Sequence, residues 1–268
     1  MTTLENVYRI LKEGEGDFVS GESLASSLGI SRAAVWKAVS SLQEKGYEIE
    51  TRKHHGYRMT PCDDYKGKGR RGRSFSSPEG GVYLSIVIHV RDGMNIEHIT
   101  TAAALGVART IDSLGFDSQI KWVNDIYLNG KKAVGILCEG VVSMEDFSVS
   151  DVVIGIGVNY TTTDFPPELR GVVTSLYPEG KSEMSRAEFA ALEIRNVLSS
   201  LSDENYIDEY RKKCFIIGMD VNVITPKGTR EARALDIDRD AHLVVRYSDG
   251  SRESLSSGEV TIRPALEK

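Results

Sequence analysis

Three short segments carry residue types at spacings that could do chemistry. The first, Gly67-Lys68-Gly69-Arg70-Arg71-Gly72-Arg73-Ser74, interleaves glycines with cations, and Lys66 to Arg73 holds five basic residues and no acid. Backbone N–H groups freed by glycine, together with guanidinium forks, can wrap the oxygens of a polyanion. The segment matches G-x-G-x-x-G and nearly matches G-x-x-x-x-G-K-[ST], with Arg73 where lysine should stand. Both patterns need a strand before and a helix after. Asp63-Asp64-Tyr65 and Phe75-Ser76-Ser77-Pro78 supply neither, which excludes a Rossmann turn or a P-loop. Two readings remain: a cationic loop that orders on a phosphate-bearing ligand, or an exposed basic loop for nonspecific nucleic-acid contact.

The second segment is Lys121-Trp122-Val123-Asn124-Asp125, followed by an Asn129-Gly130 pair suited to a tight hairpin that returns through Lys131-Lys132. As a continuous strand it places Lys121, Val123 and Asp125 on one face and Trp122 and Asn124 on the other. Asp125 could meet magnesium or a ribose hydroxyl, and Lys132 could neutralise a carboxylate or phosphate. An ordinary surface salt bridge is the alternative. The third segment, Gly155-Ile156-Gly157-Val158-Asn159, puts Gly155, Gly157 and Asn159 on one face. Each interior glycine weakens a strand by roughly 0.5–1 kcal/mol. Two on one face therefore imply that something packs directly on the backbone, either a flat ligand ring or a neighbouring strand.

The elements that must hold these residues follow from hydrophobic spacing. Leu4, Val7, Ile10 and Leu11 mark one helix, Leu24, Ala25 and Leu28 a second, and Ala34, Val35, Ala38, Val39 and Leu42 a third. Gly29 can end the second helix in a positive-φ conformation and Ser31 can cap the third, which is the spacing of a helix-turn-helix. Tyr47–Arg52 and Gly56–Met59 read as the strands of a wing. Ser31, Arg32, Ala33, Trp36 and Lys37 lie on the outer face of the third helix. Small residues there permit close approach to bases, and the cations and indole suit phosphate and sugar contacts. Farther on, Val82–Val90 alternates as a half-buried strand, Ile96 to Leu114 reads as a helix, and Ala133–Glu139 and Val152–Val158 are further strands. Ser185 with Glu188 forms a capping box before another helix. Four or five short strands after Gly218 suffice for a small barrel.

The chain has 268 residues with 33 basic against 39 acidic, a formal net charge of −6. Forty per cent hydrophobic content excludes intrinsic disorder and low-complexity scaffolds. No apolar run approaches a membrane span and no signal-peptide core opens the chain, so a cytoplasmic protein without membrane association is expected. Cys62, Cys138 and Cys214 are too far apart for metal-ligand spacing or a disulfide framework.

Together these segments resemble the bifunctional biotin–protein ligase and biotin operon repressor family. The resemblance rests on the winged helix, Gly67-Lys-Gly-Arg-Arg-Gly-Arg, Lys121-Trp-Val-Asn-Asp, Lys132-Ala-Val-Gly135-Ile-Leu, Gly155-Ile-Gly-Val-Asn159 and a terminal Gly258-Glu-Val, with valine at 123 where the family usually has proline. It implies an α+β chain in three parts. Residues 1–62 would be a winged helix-turn-helix, 63–217 a mixed-sheet ligase domain of the class II synthetase-like type, and 218–268 an SH3-like barrel. It further implies that ATP, biotin and Mg2+ yield biotinyl-5′-adenylate, from which biotin passes to a lysine of a biotin carboxyl carrier protein. Arg70, Lys132 and Asp125 would act in catalysis, with Asp125 near magnesium. Gly67, Lys68, Gly69, Arg71, Gly72, Arg73, Lys121, Trp122, Asn124, Gly135, Gly155, Gly157 and Asn159 would line the biotin and adenylate pockets. Operator DNA and a liganded homodimer, with recognition helices roughly 34 Å apart, complete the implied partners.

One departure bears on activity. The family's catalytic domain opens with a Ser-Thr-Asn motif and a Gln-rich lead into the glycine loop, whereas only Cys62–Lys66 separates Pro61 from Gly67, and Ser-Thr-Asn occurs nowhere. Roughly fifty residues of the usual core are missing by this comparison. A DNA-binding regulator that senses biotin or biotinyl-adenylate without efficient ligation is therefore the competing expectation. Lipoate or octanoyl transfer is a third, disfavoured by the Lys-Trp-x-Asn-Asp and Gly-Arg-Arg-Gly-Arg elements.

Overall fold

A computed structural model describes residues 2–14, 16–44, 47, 49–53, 55–59, 67–68, 74–143, 148–225 and 228–262. Arg70 and the neighbouring Gly69, Arg71, Gly72 and Arg73, with Cys62, lie outside the described residues. The chain divides into two compact units, Met1–Gly67 and Lys68–Lys268.

In the first unit, α1 (Thr3–Glu13) begins with a capping box between Thr2 and Glu5. Helix α2 (Gly21–Leu28) is capped by Ser20 and stops at Gly29, whose φ of 64° is the left-handed conformation that glycine adopts without a steric cost. Ser31 then accepts the Ala34 N–H at 3.1 Å and starts α3 (Arg32–Glu44). Val7, Leu11, Leu24, Val35, Val39 and Leu42 meet as the core of the three helices. The wing is an antiparallel pair, β1 (Ile49–Arg52) with β2 (Gly56–Met59). It closes on Val19 through mutual backbone hydrogen bonds with Tyr57. Gly56 permits that approach: its φ is 106°, and a β-carbon there would lie 2.1 Å from the Val19 carbonyl oxygen.

The second unit opens at Lys68, the last residue of the two-residue strand β3 (Gly67–Lys68), and strand β4 (Ser74–Phe75) follows. Its central sheet comprises β5 (Val82–His89), β6 (Gln119–Lys121), β7 (Asp125–Leu128), β8 (Lys131–Val142) and β9 (Val149–Val158), in the order β5-β9-β8-β7-β6. Every ladder is antiparallel. The parallel contacts, Ile120 with Cys214 and Lys132 with Val173, are isolated bridges. One face of the sheet buries Val82, Val134, Ile136, Ile154, Ile156 and Val158 beneath α4 (Ile99–Ser113) and α5 (Arg186–Leu201). Alanines 102–104 and Gly106 let α4 sit close to its neighbours; a β-carbon at Gly106 would lie 2.5 Å from Val197 Cα of α5. The Ser185–Glu188 capping box starts α5, and a 3-10 turn at Ile96–His98 precedes α4. Helix α6 (Tyr206–Lys213) is tied to both longer helices by Arg109, which donates to Ser200, Asp203 and Glu209.

Strands β10 (Asp220–Thr225), β11 (Gly228–Ile237), β12 (Leu243–Tyr247), β13 (Arg252–Leu255) and β14 (Glu259–Ile262) form a second antiparallel sheet in the order β13-β12-β11-β10-β14. No helix among the described residues is long and apolar enough to cross a membrane.

One buried group sets a pH dependence. Glu193 of α5 is fully enclosed, and neither carboxylate oxygen has a hydrogen-bond partner among the described residues. Burial pushes its carboxyl up to about 8. The folded chain therefore keeps this proton where the unfolded chain, titrating near 4.5, has lost it. The stability it contributes is complete below the unfolded value, declines as pH rises between the two, and is gone above about 8. We expect Glu193→Gln to flatten that segment of the stability curve and to raise the Tm at alkaline pH by several degrees, about 2–4 °C for each kcal/mol recovered. Thermal melts across the range check it, and parallel curves for the two proteins reject the assignment.

Candidate active site

Where β8 and β9 pair, Gly135 stands directly opposite Gly157. The ladders extend this row to Asp125 of β7 on one side and Tyr83 of β5 on the other. Residues in one cross-strand row share a face, and this face is the one turned away from α4 and α5. Bare backbone is therefore presented at the middle of the sheet, flanked by a carboxylate and a phenol.

The ring of Phe75, from β4, lies on that floor. A β-carbon at Gly157 would stand 2.5 Å from its Cε1 and one at Gly135 2.8 Å from its Cε2. Phe75 also meets Tyr83 edge-on, with ring centroids 6.3 Å apart at 73°. The packing partner required by the paired glycines is thus an aromatic side chain of this chain. Sequence reasoning passed over Phe75, although it is the one large apolar residue between Lys66 and Val82. Gly155, one row away, is different: a β-carbon there would make only an ordinary 3.6 Å contact with the Leu137 carbonyl oxygen.

Lys132 stands beside the floor. Its Nζ lies 2.6 Å from Asp125 Oδ1, with both groups partly open to solvent, and its Cε would be 3.4 Å from a β-carbon at Gly135. Its backbone is clamped by Val172 and Thr174, whose O and N–H bond its N–H and O at 3.0 and 2.9 Å. Desolvation, with Asp125's charge as the smaller cause, holds the nearby Tyr127 phenol above its ordinary value.

The continuous-strand reading of Lys121–Asp125 is corrected by the structure. Strand β6 ends at Lys121, the chain reverses through Trp122–Asn124, and Asp125 opens β7 opposite Lys121. The physical reason is the indole: Trp122 is buried in the core and donates from Nε1 to the Ala241 carbonyl at 3.1 Å, fastening the hairpin to the loop between β11 and β12. The Trp122–Val123 peptide is cis. Tyr210 donates to the Val123 carbonyl at 3.1 Å, and the Asn124 side chain donates to the Ile136 carbonyl. Trp122 and Asn124 thus clasp the turn, and Asp125's ion pair is with Lys132. Asn159 likewise serves as a clasp: it is buried and its Nδ2 donates to Thr174 O at 3.1 Å, while its backbone bonds Ala133 and Leu176.

Of the residues singled out in the sequence, the fold brings together Asp125, Lys132, Gly135 and Gly157, with Phe75 added. Gly155 lies along the same face, Lys121 opposite Asp125, and Gly67 and Lys68 in β3. Among the described residues no group of three His, Cys, Asp or Glu could hold a metal. Among the described residues the assembled groups contain no thiol, imidazole or serine nucleophile, and the one hydroxyl at the floor, the Tyr83 phenol, donates to the Pro78 carbonyl. They can neutralise an anion and seat a flat or apolar body, which suits transfer chemistry in which the substrates supply their own nucleophiles.

The other candidate surface is in the first unit. Ser31, Arg32, Ala33, Trp36 and Lys37 are all exposed, Trp36 to 62%, while Val35, Ala38 and Val39 point into the core. Neither Arg32 nor Lys37 has an ion pair among the described residues. The wing arginines differ: Arg52 and Arg58 flank the Phe18 ring at 4.8 and 5.1 Å and both pair with Glu50. Arg32 and Lys37 are thus left available on the outer face of α3.

Three family models match the chain: an HTH domain over residues 3–58, the biotin/lipoate A/B protein ligase family over 36–159, and a biotin protein ligase C-terminal domain over 216–263. The chain is 27% identical to the bifunctional ligase/repressor BirA of Bacillus subtilis (strain 168), covering 96% of this chain and 98% of that protein. It is 26% identical to BirA of Escherichia coli (strain K12), covering 93% and 94%. In fold it is similar to a biotin protein ligase from Aquifex aeolicus solved in complex with biotin and ATP, with a TM-score of 0.64 at 21% identity over 81% of this chain and 88% of that one. With a winged helix-turn-helix ahead of the glycine-floored sheet and a β-rich segment behind it, the chain belongs to the biotin–protein ligase family, in its bifunctional ligase/repressor form.

Proposed function

We propose that the chain activates biotin with MgATP and transfers it to a lysine of a biotin carboxyl carrier protein, and that its α3 face binds operator DNA. The observation that carries the first half is the Asp125–Lys132 pair set beside the Gly135–Gly157 floor. The biotin carboxylate attacks the α-phosphorus, pyrophosphate leaves, and biotinyl-5′-adenylate forms; the carrier lysine then attacks the biotinyl carbonyl and AMP leaves. Lys132 neutralises the two anions that must approach each other in the first step, and Asp125 orients it through their ion pair. Phe75 and the glycines give biotin an apolar seat. A magnesium ion carried by the nucleotide would draw charge from its phosphates, with Asp125 as the residue to hold it. The single carboxylate of Asp125 fits an ion held mainly by phosphate and water. Arg70, with Gly67 to Arg73 around it, would cover the adenylate phosphate, and Lys121 and Gly155 would extend the pocket.

The domain division at 62/63 and 217/218, with roughly fifty residues of the catalytic domain missing after Pro61, is part of the same reading. The alignment to the B. subtilis protein spans 327 positions against 268 residues here, which supports an internal deletion. That deletion favours the second reading, a biotin-sensing regulator with weak ligation. A liganded homodimer is supported by β8, which pairs with β7 only as far as Gly135 and exposes Val141 and Val142 beyond it.

Labelled biotin, ATP and a carrier domain distinguish the readings: incorporation identifies a ligase, with turnover expected to be low, and a DNA mobility shift without incorporation identifies a regulator. Lys132→Ala should slow adenylate formation by roughly 10²–10³-fold, the scale of losing one preorganised charge; pyrophosphate exchange measures it, and an unchanged rate removes Lys132 from the chemistry. Gly157→Ala should displace Phe75 and weaken biotin binding by roughly 10–200-fold, the range for one added methyl in a fitted pocket. Gly155→Ala, whose new methyl finds room, should cost far less. Calorimetry compares the two, and equal losses would reject the floor. Arg32→Ala and Lys37→Ala should each weaken operator binding by about 1–3 kcal/mol if they read base edges; wild-type mobility shifts would show that α3 is not the reading helix.

A further inference from the structure

We infer that the outer face of the C-terminal sheet carries an arginine row, Arg233, Arg246 and Arg252, that docks a carboxylate-bearing protein surface, the acidic face of the carrier that accepts biotin. The identity of that partner rests on the ligase reading above, while the row itself does not. Arg233 of β11 stands directly opposite Arg246 of β12, and Arg246 directly opposite Arg252 of β13. All three side chains are exposed, whereas Ala234, Val245 and Tyr247 of the same strands are buried. Directly opposed like charges destabilise a sheet, so two such pairs in succession are a cost, offset among the described residues only by the Asp220–Arg233 ion pair.

Local acids do not neutralise the row. Asp220 takes only its first member, bonding Arg233 at 3.2 Å. Asp249 is engaged by Ser251 and Arg230, and Glu253 by the Tyr247 hydroxyl. Among the described residues, no ion pair or hydrogen bond is made by the side chains of Arg246 or Arg252. Protection of a sheet edge against self-pairing accounts for a charge on β13, the end strand. It does not account for Arg246, which lies on an interior strand.

Charge balance selects the partner. From Gly218 to Ile262 there are eight acidic residues and six basic ones. A long polyanion such as a nucleic acid would meet net repulsion here. A protein face with a few carboxylates at strand or helix spacing meets the row and avoids the rest. Exposed complementary charge of this kind acts mainly on association rate and salt dependence.

The test is the affinity of the full-length chain for a recombinant biotin carboxyl carrier domain, read by interferometry from low to high salt. Arg246→Glu with Arg252→Glu should weaken binding at least tenfold at low salt, and the difference should shrink as salt screens the charges. Arg246→Gln serves as the control for folding: relief of like-charge repulsion should leave its Tm unchanged or raised, with an intermediate loss of affinity. Carrier affinity and salt dependence identical to the unaltered chain would overturn the proposal. So would loss of binding to a duplex DNA probe with the carrier unaffected, which would make the row a nucleic-acid contact. Adenylate formation measured on the same preparations reports separately on the ligase reading.

Discussion

Two facing glycines are the constraint on which the active-site arrangement depends. At Gly135 and Gly157 the pairing of β8 with β9 leaves no side chain on the outer face, and a β-carbon at either position would collide with Phe75. A gap of that shape in the middle of a sheet loses dispersion contacts unless a flat body fills it. Phe75 fills it from above, and Lys132 and Tyr83 form the sides. Everything that gives the site chemical character is placed relative to that floor: Asp125 because it shares the same cross-strand row, Lys132 because its backbone is held by the Val172–Thr174 segment.

The sheet works as a partition. Its inner face is a continuous apolar layer under α4 and α5, and the closeness of those helices depends on small residues such as Gly106. This rigid backing lets the outer face carry glycines, which contribute no packing of their own. The turn at Trp122–Asn124 links the partition to the β-rich segment through the indole of Trp122. Residues expected to touch ligand are thus, in part, the fastenings that hold the ligand-facing residues in place.

Charge follows a comparable division. The chain is acidic overall, yet two surfaces expose cations that have no ion pair among the described residues: Arg32 and Lys37 on α3, and Arg246 and Arg252 on the outer row of the C-terminal sheet. Wing arginines that look equivalent in the sequence are committed to Glu50 and Phe18. A count of basic residues cannot distinguish the two situations, because the distinction lies in which acids come within reach after folding.

The sequence by itself determined the local elements. Gly29 and Ser31 announced the helix-turn-helix, Asn129-Gly130 the hairpin between β7 and β8, and Ser185 with Glu188 the start of α5, because caps and tight turns are written in residues a few positions apart. The glycine face of β9 was legible for the same reason. Only the tertiary structure decided that Gly157 faces Gly135, that Phe75 occupies the space over both, that Lys132 takes Asp125, and that Trp122 and Asn124 act as clasps. Each of those outcomes depends on strand register and on the burial of a large ring, which bring together residues tens of positions apart and leave no trace in local spacing.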